Sequence, residues 1–505
     1  MTILNVLRRS ARRVTVGAII GGVAMTGLTT LPARAQTLSS NMPFDVSNLP
    51  NPSLQDWNTF AWQSFVAANW PVVQGSRGVP DPSRKIGATA PDGSTAPVLW
   101  MTSKAVADVF LPHGAAPSSN WQTQAATAAC ANVPGYNPQT SYVLGMVSKT
   151  NAGATTAINQ ADFPGSQQVV GPVIDQAAQY LRYDIRMSQS EYQYLLNTQY
   201  YNAAVQIGAV RANPTTFQDP PKGPETYVST LPPYARYGTV EYKASWRVLD
   251  PKVDAVSRYF TAPAFIVEPT GVCHGPQLMG LTGLHILRLT PTTGATWVWA
   301  TFEQVDNLTP PPPVAGSHDP SPSATLSNGT TNPAGYNYMP PVVIPGKPLP
   351  GGKPVEVSRV TPIQDESKSV TTQYRKALAG TVWTNYQLIG IQAPVNPKGS
   401  VTTNKGAGGC YVAGSKHDLS TGSAAAPYQL TDCYLANVSM ETYVQSTSCA
   451  VCHSYGTPQG VQVASYNNGN PRPTFAALDQ FQIFSFMLKQ AKMPVIPKRA
   501  PPKHS

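Results

Sequence analysis

Close to its C-terminus the chain reads Ser448-Cys-Ala-Val-Cys-His-Ser-Tyr-Gly456. Two thiols stand three residues apart, and an imidazole follows the second directly. At that spacing Cys449 and Cys452 can each add to one of the two vinyl groups on a porphyrin edge. His453 then lies under the iron and offers a ring nitrogen as axial ligand. Cys-x-x-Cys-His is the spacing of c-type haem attachment. With 6 Cys and 7 His among 505 residues, the pattern arises by chance far less than once in a chain of this length. A structural zinc site would need four ligands, and no second Cys-x-x-Cys pair is present. A thioredoxin-like redox pair would follow a strand in a βαβ unit, and the pattern contains no such unit. The expectation is one covalent haem, tethered by Cys449 and Cys452, with His453 as the proximal iron ligand.

The surrounding segment resembles a class I cytochrome c. A short helix is predicted over 439–448 before the motif, and a second over Thr474–Lys492 closes the chain, with Phe484, Met487, Leu488 and Ala491 as its apolar stripe. The resemblance implies a methionine, from the loop before the last helix, as second axial ligand. Here the sequence departs from the family, because no Met lies between His453 and Met487. Met487 sits on the stripe and reads as core. Met493, next to Pro494, is the first distal candidate and His285 the second. His113, His274 and His417 are further imidazoles. An open sixth position would admit peroxide or another small ligand.

The haem-binding segment, residues 437–497, holds only ~60 residues, and very small domains bury too little surface to enclose a large group. The rest of the chain is therefore expected to cover part of the haem. Its first residues read as a secretory signal peptide. Arg8, Arg9, Arg12 and Arg13 precede an apolar stretch from Val14 to Leu31, and Ala33-Arg-Ala35 offers a small-x-small cleavage site. Both general and twin-arginine export fit this leader, and the expected location is periplasmic or otherwise exported. Removal of residues 1–35 lowers Lys+Arg from 35 to 30 against 25 Asp+Glu, a net charge of about +5. Part of that excess lies in a basic tail, residues 498–505. There is no basic, aromatic-interleaved pattern of the nucleic-acid type, and no later apolar run of the ~18 residues that a membrane span needs.

Residues 36–436 read as a large, β-leaning mixed domain, so the fold class is α+β with a small helical haem segment at its end. Asp56–Trp70 has helical spacing in Trp57, Phe60, Ala61, Ser64, Phe65 and Ala68, with Asp56 as cap. Ala178–Met187 alternates like a strand, and Ser188-x-x-Glu191 suggests a capping box opening a helix. Leu284–Phe302 reads as a hairpin in which His285, Leu287 and Leu289 share a face. A Pro-rich insertion at about 309–354 is expected to lie on the surface. Ser367–Leu378 is a candidate helix and Val382–Gln392 a candidate strand. Four further cysteines suggest two disulfides in an oxidising compartment. Cys410–Cys433 with Cys130–Cys273 is the favoured pairing, since the first closes a short loop.

Taken whole, the chain resembles a group of exported bacterial proteins described only as "cytochrome c family". The resemblance rests on Phe60–Trp70, Val240–Leu249, Thr282–Leu289, Trp297–Asn307 and Leu435–Gln445. It implies haem binding and one-electron transfer with a redox partner protein, and no substrate. No His-Glu-x-x-His, Gly-x-Ser-x-Gly or phosphate loop occurs. Lys243, Trp246, Arg247, His285, Glu303 and Asp306 lie beside strands and could line a pocket or form structural pairs. Two other readings thus stand beside the electron-transfer cytochrome. One is a haem-dependent oxidoreductase, peroxidase-like or substrate-oxidising. The other is a haem-based sensor whose large domain forms the ligand pocket.

Overall fold

Ser53 opens the first helix, α1, Leu54–Ala68. The Ser53 hydroxyl accepts from the Asp56 N–H while the Asp56 carboxylate accepts from the Ser53 N–H, a reciprocal cap. The helix therefore starts two residues earlier than expected, with Asp56 at its third position. The predicted inward positions are all buried, and so are Asn58, Trp62, Val66 and Ala67. Cover on nearly every side makes α1 a core helix.

The computed structural model describes residues 36–89, 96–147, 172–212, 217–293, 297–312, 323–330, 334–341, 343–394, 411–412, 428–432, 434–446, 449, 453, 458 and 486–495. The leader, the basic tail, Cys410, His417, Cys433, Cys452 and Phe484 lie outside these. After α1 come β1 (Lys104–Ala105), α2 (Val106–Val109), β2 (Val143–Leu144), β3 (Arg182–Met187), α3 (Gln189–Thr198) and α4 (Ala203–Ala212). They are followed by β4 (Val240–Val248), β5 (Thr261–Val267), β6 (Cys273–Arg288), β7 (Val298–Gln304), α5 (Asp365–Ala377) and β8 (Tyr386–Gln392).

The eight strands form one sheet in which β6 is shared. Its Met279–Arg288 stretch pairs with β4 along one edge. On the other edge Cys273–Gly280 pairs with β5, and Gly283–Arg288 pairs with β7, which carries β8. One strand thus hands its outer edge from β5 to β7, and the sheet bends into a half-barrel. Among the described strands only β2 runs parallel to its neighbour. Helices gathered on a mainly antiparallel sheet make the fold α+β, as expected. The predicted hairpin is present, with His285 opposite Thr301 and Leu287 opposite Trp299.

Alternation sorts the strands onto two faces. The first face carries Tyr242, Ala244, Trp246, Leu284, Ile286 and Phe302 against α1 and α5. Aromatic rings dominate this core: Trp62 stacks on Tyr374 at 5.1 Å and Phe65 lies 4.2 Å from Phe302. The second face carries Leu287, Leu289, Trp297, Trp299 and Ile389 towards α3 and α4. A third cluster holds Tyr183, Leu326, Val355, Val357 and Val438. The Pro-rich stretch therefore does not lie wholly on the surface, since Ala324 and Leu326 are buried. A disulfide joins Cys130 to Cys273 at the start of β6; the other expected pair is outside the described residues.

The chain before the haem-type motif is built into the second face. Leu435 to Met440 are all buried, so the expected boundary at 436/437 runs through the interior. The Asn437 amide donates to Thr301 Oγ1 at 3.0 Å and to the Phe302 carbonyl at 2.8 Å. Ser439 Oγ lies 2.6 Å from Ser245 Oγ, and its carbonyl accepts from the Tyr183 hydroxyl at 2.9 Å. Buried Glu303 accepts from the Val438 N–H at 2.7 Å and pairs with Arg359. A Cβ on Gly283 would come within 2.7 Å of Ser439 Oγ and 2.8 Å of Asn437 Nδ2, so a bare backbone is needed where the segment crosses β6. Over 439–446 turns stand in place of the expected helix, with the Met440 and Glu441 N–H groups both donating to the Asn437 carbonyl; 447 and 448 lie outside the described residues. Asn437 and Ser439 direct their side chains to the sheet, which competes with helix formation.

Glu303→Ala should therefore cost ~3 kcal/mol or more, because it leaves Arg359 without its carboxylate and Val438 without an acceptor. Denaturant melts should show that loss, with amide exchange speeding up first at Val438–Tyr443. An equal rise over the whole sheet would argue against local anchoring.

Candidate functional site

Cys449 follows the anchored segment directly. It packs against the second-face cluster beside Leu435, and its thiol donates to the Leu435 carbonyl over 3.8 Å. The His453 ring lies 5.9 Å from Trp299, centroid to centroid, tilted by 57°. On another side Phe486 meets it edge-on at 5.2 Å. Trp299 comes from β7 of the large domain, and Phe486 opens a short 3₁₀ turn, Phe486–Gln490. That turn and the residues after it are tied down by α4. Gln206 Nε2 donates to the Leu488 carbonyl at 3.1 Å, and the Ala203 N–H donates to the Lys492 carbonyl at 3.2 Å. Lys489 Nζ sits 5.5 Å over the Phe486 ring.

One thiol of the motif thus packs on the apolar cluster that holds Trp299, Leu435, Met487 and Leu488, and its imidazole packs on Trp299 and Phe486. A flat apolar macrocycle bound by thiol and imidazole suits such a wall, and the donor types fit haem c. Among the described residues no three His, Cys, Asp or Glu side chains gather into a metal-binding set.

The other predicted site residues are placed as follows. Met487 is buried in the cluster that Cys449 packs against. Met493 is 52 % exposed. His285 faces Glu441 at 3.2 Å, and Glu441 in turn accepts from the Asn437 N–H at 3.0 Å. His274 pairs with Glu268, and His113 lies in a turn at positive φ. The six polar or aromatic candidates of the large domain do not line one pocket. Trp246 is in the first-face core. Arg247 pairs with Asp175 and Asp254, and Asp306 accepts both Arg258 bonds at 2.6 Å.

A pair of carboxyls was not legible in the sequence. Ser188 precedes α3 but makes no side-chain cap bond; its hydroxyl accepts from the Val240 N–H. Glu191, expected to complete a capping box, instead turns inward to Glu241 of β4, and both are buried. Burial first, then the charge and hydrogen bond of Glu241, push the Glu191 carboxyl well above the usual range. Glu241 lies opposite Leu287, which lies opposite Trp299. The pair is thus two strands from the ring against which His453 packs. Alternation along β4, which turns Glu241 inward with Leu287 opposite, was the available signal. At the edge of this cluster Lys104 rests 5.0 Å over Tyr192, and burial lowers its pKa to about 8.

Compared with protein-family models, curated proteins and solved structures, the chain matches none.

The carboxyl pair makes stability depend on pH with a definite sign. A raised folded-state pKa means full stability below the unfolded value of ~4.3, with stability lost as pH rises through the raised value. Glu191→Gln removes that loss. The variant should gain on the wild type between pH 4 and 8, by ~1.4 kcal/mol per pH unit over which only the unfolded chain is ionised. Urea melts across that range test it; a constant difference would mean that the pair does not hold a proton.

Proposed function

We propose that the protein is an exported, mono-haem c-type cytochrome that passes single electrons to a partner protein. The observation that carries this is the Cys449-Ala-Val-Cys-His453 motif, with Cys449 and His453 seated against the Trp299 wall of the large domain. Cys449 and Cys452 would hold the haem by thioether bonds, and His453 would ligate its iron. The bound group supplies the one-electron redox chemistry.

This chain's own residues set the conditions for that chemistry. Trp299 and Phe486 pack the His453 ring from two directions, which limits its reorientation when charge changes nearby. The apolar wall keeps water from one side and so favours the less charged, reduced state. The anchored segment 435–446 joins the motif to the sheet, so the large domain and the motif form one site. The Cys130–Cys273 disulfide is in keeping with export to an oxidising compartment. No described helix is long and apolar enough to cross a membrane. Met493 and His285 remain proposed sixth ligands, and the buried Met487 joins them because it shares the Cys449 cluster.

Production with haem-attachment machinery should yield one covalent haem per chain by pyridine haemochrome assay. Cys449→Ser or Cys452→Ser should each remove one thioether bond, and His453→Ala should remove the low-spin spectrum. A chain purified without haem would sink the reading.

Reduced protein that ignores carbon monoxide supports electron transfer, whereas carbon monoxide binding moves the reading to an oxidoreductase or sensor. Of Met487→Leu, Met493→Leu and His285→Ala, the variant that removes the sixth ligand should become high-spin; unchanged spectra in all three dismiss all three.

A further inference from the structure

Trp299 has a feature that packing leaves unexplained. Its indole N–H is buried and has no hydrogen-bond acceptor among the described residues. Tryptophan is a donor only, and a buried donor left unmade costs about 1–3 kcal/mol. Native chains pair nearly all such groups. Trp57 and Trp246 also have orphan N–H groups, but both belong to the first-face core behind the sheet. Trp299 is on the other face, and its ring packs on His453 at 5.9 Å. Across the strands it is flanked by apolar Leu287 and by Gln392, whose amide donates to the Asp432 carbonyl at 2.9 Å.

We propose that the Trp299 N–H binds a carboxylate of the haem, so that the large domain itself supplies an anion-holding group of the site. This rests on the haem reading above. The ring nitrogens of a haem are taken by iron, which leaves its two propionate carboxylates as hydrogen-bond acceptors at the rim. A carboxylate brought beside a buried N–H gains a charge-assisted bond. Lys489, over the Phe486 ring that meets His453, adds a positive charge to the same stack. Trp299 is then a positioning and tuning residue, acting on the iron through the carboxylate.

Trp299→Phe keeps an aromatic ring and deletes the donor. With the N–H gone, the carboxylate keeps more of its negative charge near the iron and favours the ferric state. The midpoint potential of the holoprotein should fall by at least about 28 mV, a threefold shift in the one-electron equilibrium at 59 mV per tenfold. Resonance Raman bands of the propionates should shift with it. Covalent haem with an unmoved potential and unmoved bands overturns the Trp299 assignment and leaves the cytochrome reading standing. Wild-type protein without haem overturns both. If the variant does not fold, a structure of the wild-type holoprotein decides. Nε1 within ~3.2 Å of a propionate oxygen supports the assignment, and Nε1 against a main-chain carbonyl overturns it.

Discussion

The contact on which the rest depends is the buried polar seam between residues 437–439 and the second face of the sheet. Asn437 and Ser439 bond to each other and to Thr301, the Phe302 carbonyl and Ser245, and Glu303 accepts from the Val438 N–H between them. Such a seam has little tolerance for slippage, because an unpaired buried polar group costs more than a formed bond gains. It fixes where the chain leaves the sheet, and thereby where Cys449 and His453 come to rest. Gly283 makes the crossing sterically feasible.

The half-barrel serves this seam by dividing labour between its faces. The first face is closed by α1 and α5 through aromatic packing. The second face is left to α3, α4, the segment before the motif and the turn at Phe486–Gln490. It is the face that carries Trp299, the Glu191–Glu241 pair and His285. Because β6 hands its edge from β5 to β7, the two clusters on this face lie side by side. The polar seam sits between them. A haem at the proposed site would therefore meet side chains of the sheet as well as of the C-terminal segment, which agrees with a segment too short to bury it alone.

The stretches Phe60–Trp70, Val240–Leu249, Thr282–Leu289, Trp297–Asn307 and Leu435–Gln445 acquire a common meaning in three dimensions. They are α1, β4, β6, β7 and the anchored segment, stacked through the sheet from the aromatic core to the motif. Their polar members mostly close hydrogen bonds across elements: Ser245 with Ser439, His285 with Glu441, Glu303 with Val438.

The β6–β7 hairpin, the face shared by His285 and Leu287 and helices α1, α3 and α5 were legible in the sequence. Each depends on local spacing or on residue chemistry that survives any packing. What sequence could not decide were the partners of residues distant along the chain. Glu191 looked like a helix cap because Ser-x-x-Glu is a local pattern, yet the nearby Glu241 drew it inward. Residues 439–448 looked helical, but side-chain bonds from Asn437 and Ser439 to the sheet outweighed a weak local preference. Trp299 read as one more alternating strand residue, and only the fold brought its ring to His453. Local propensities amount to tenths of a kcal/mol per residue, whereas a buried polar contact or an orphaned donor is worth whole ones. For that reason the sequence by itself determined the residues and spacing of the motif, and the tertiary structure decided what surrounds Cys449 and His453.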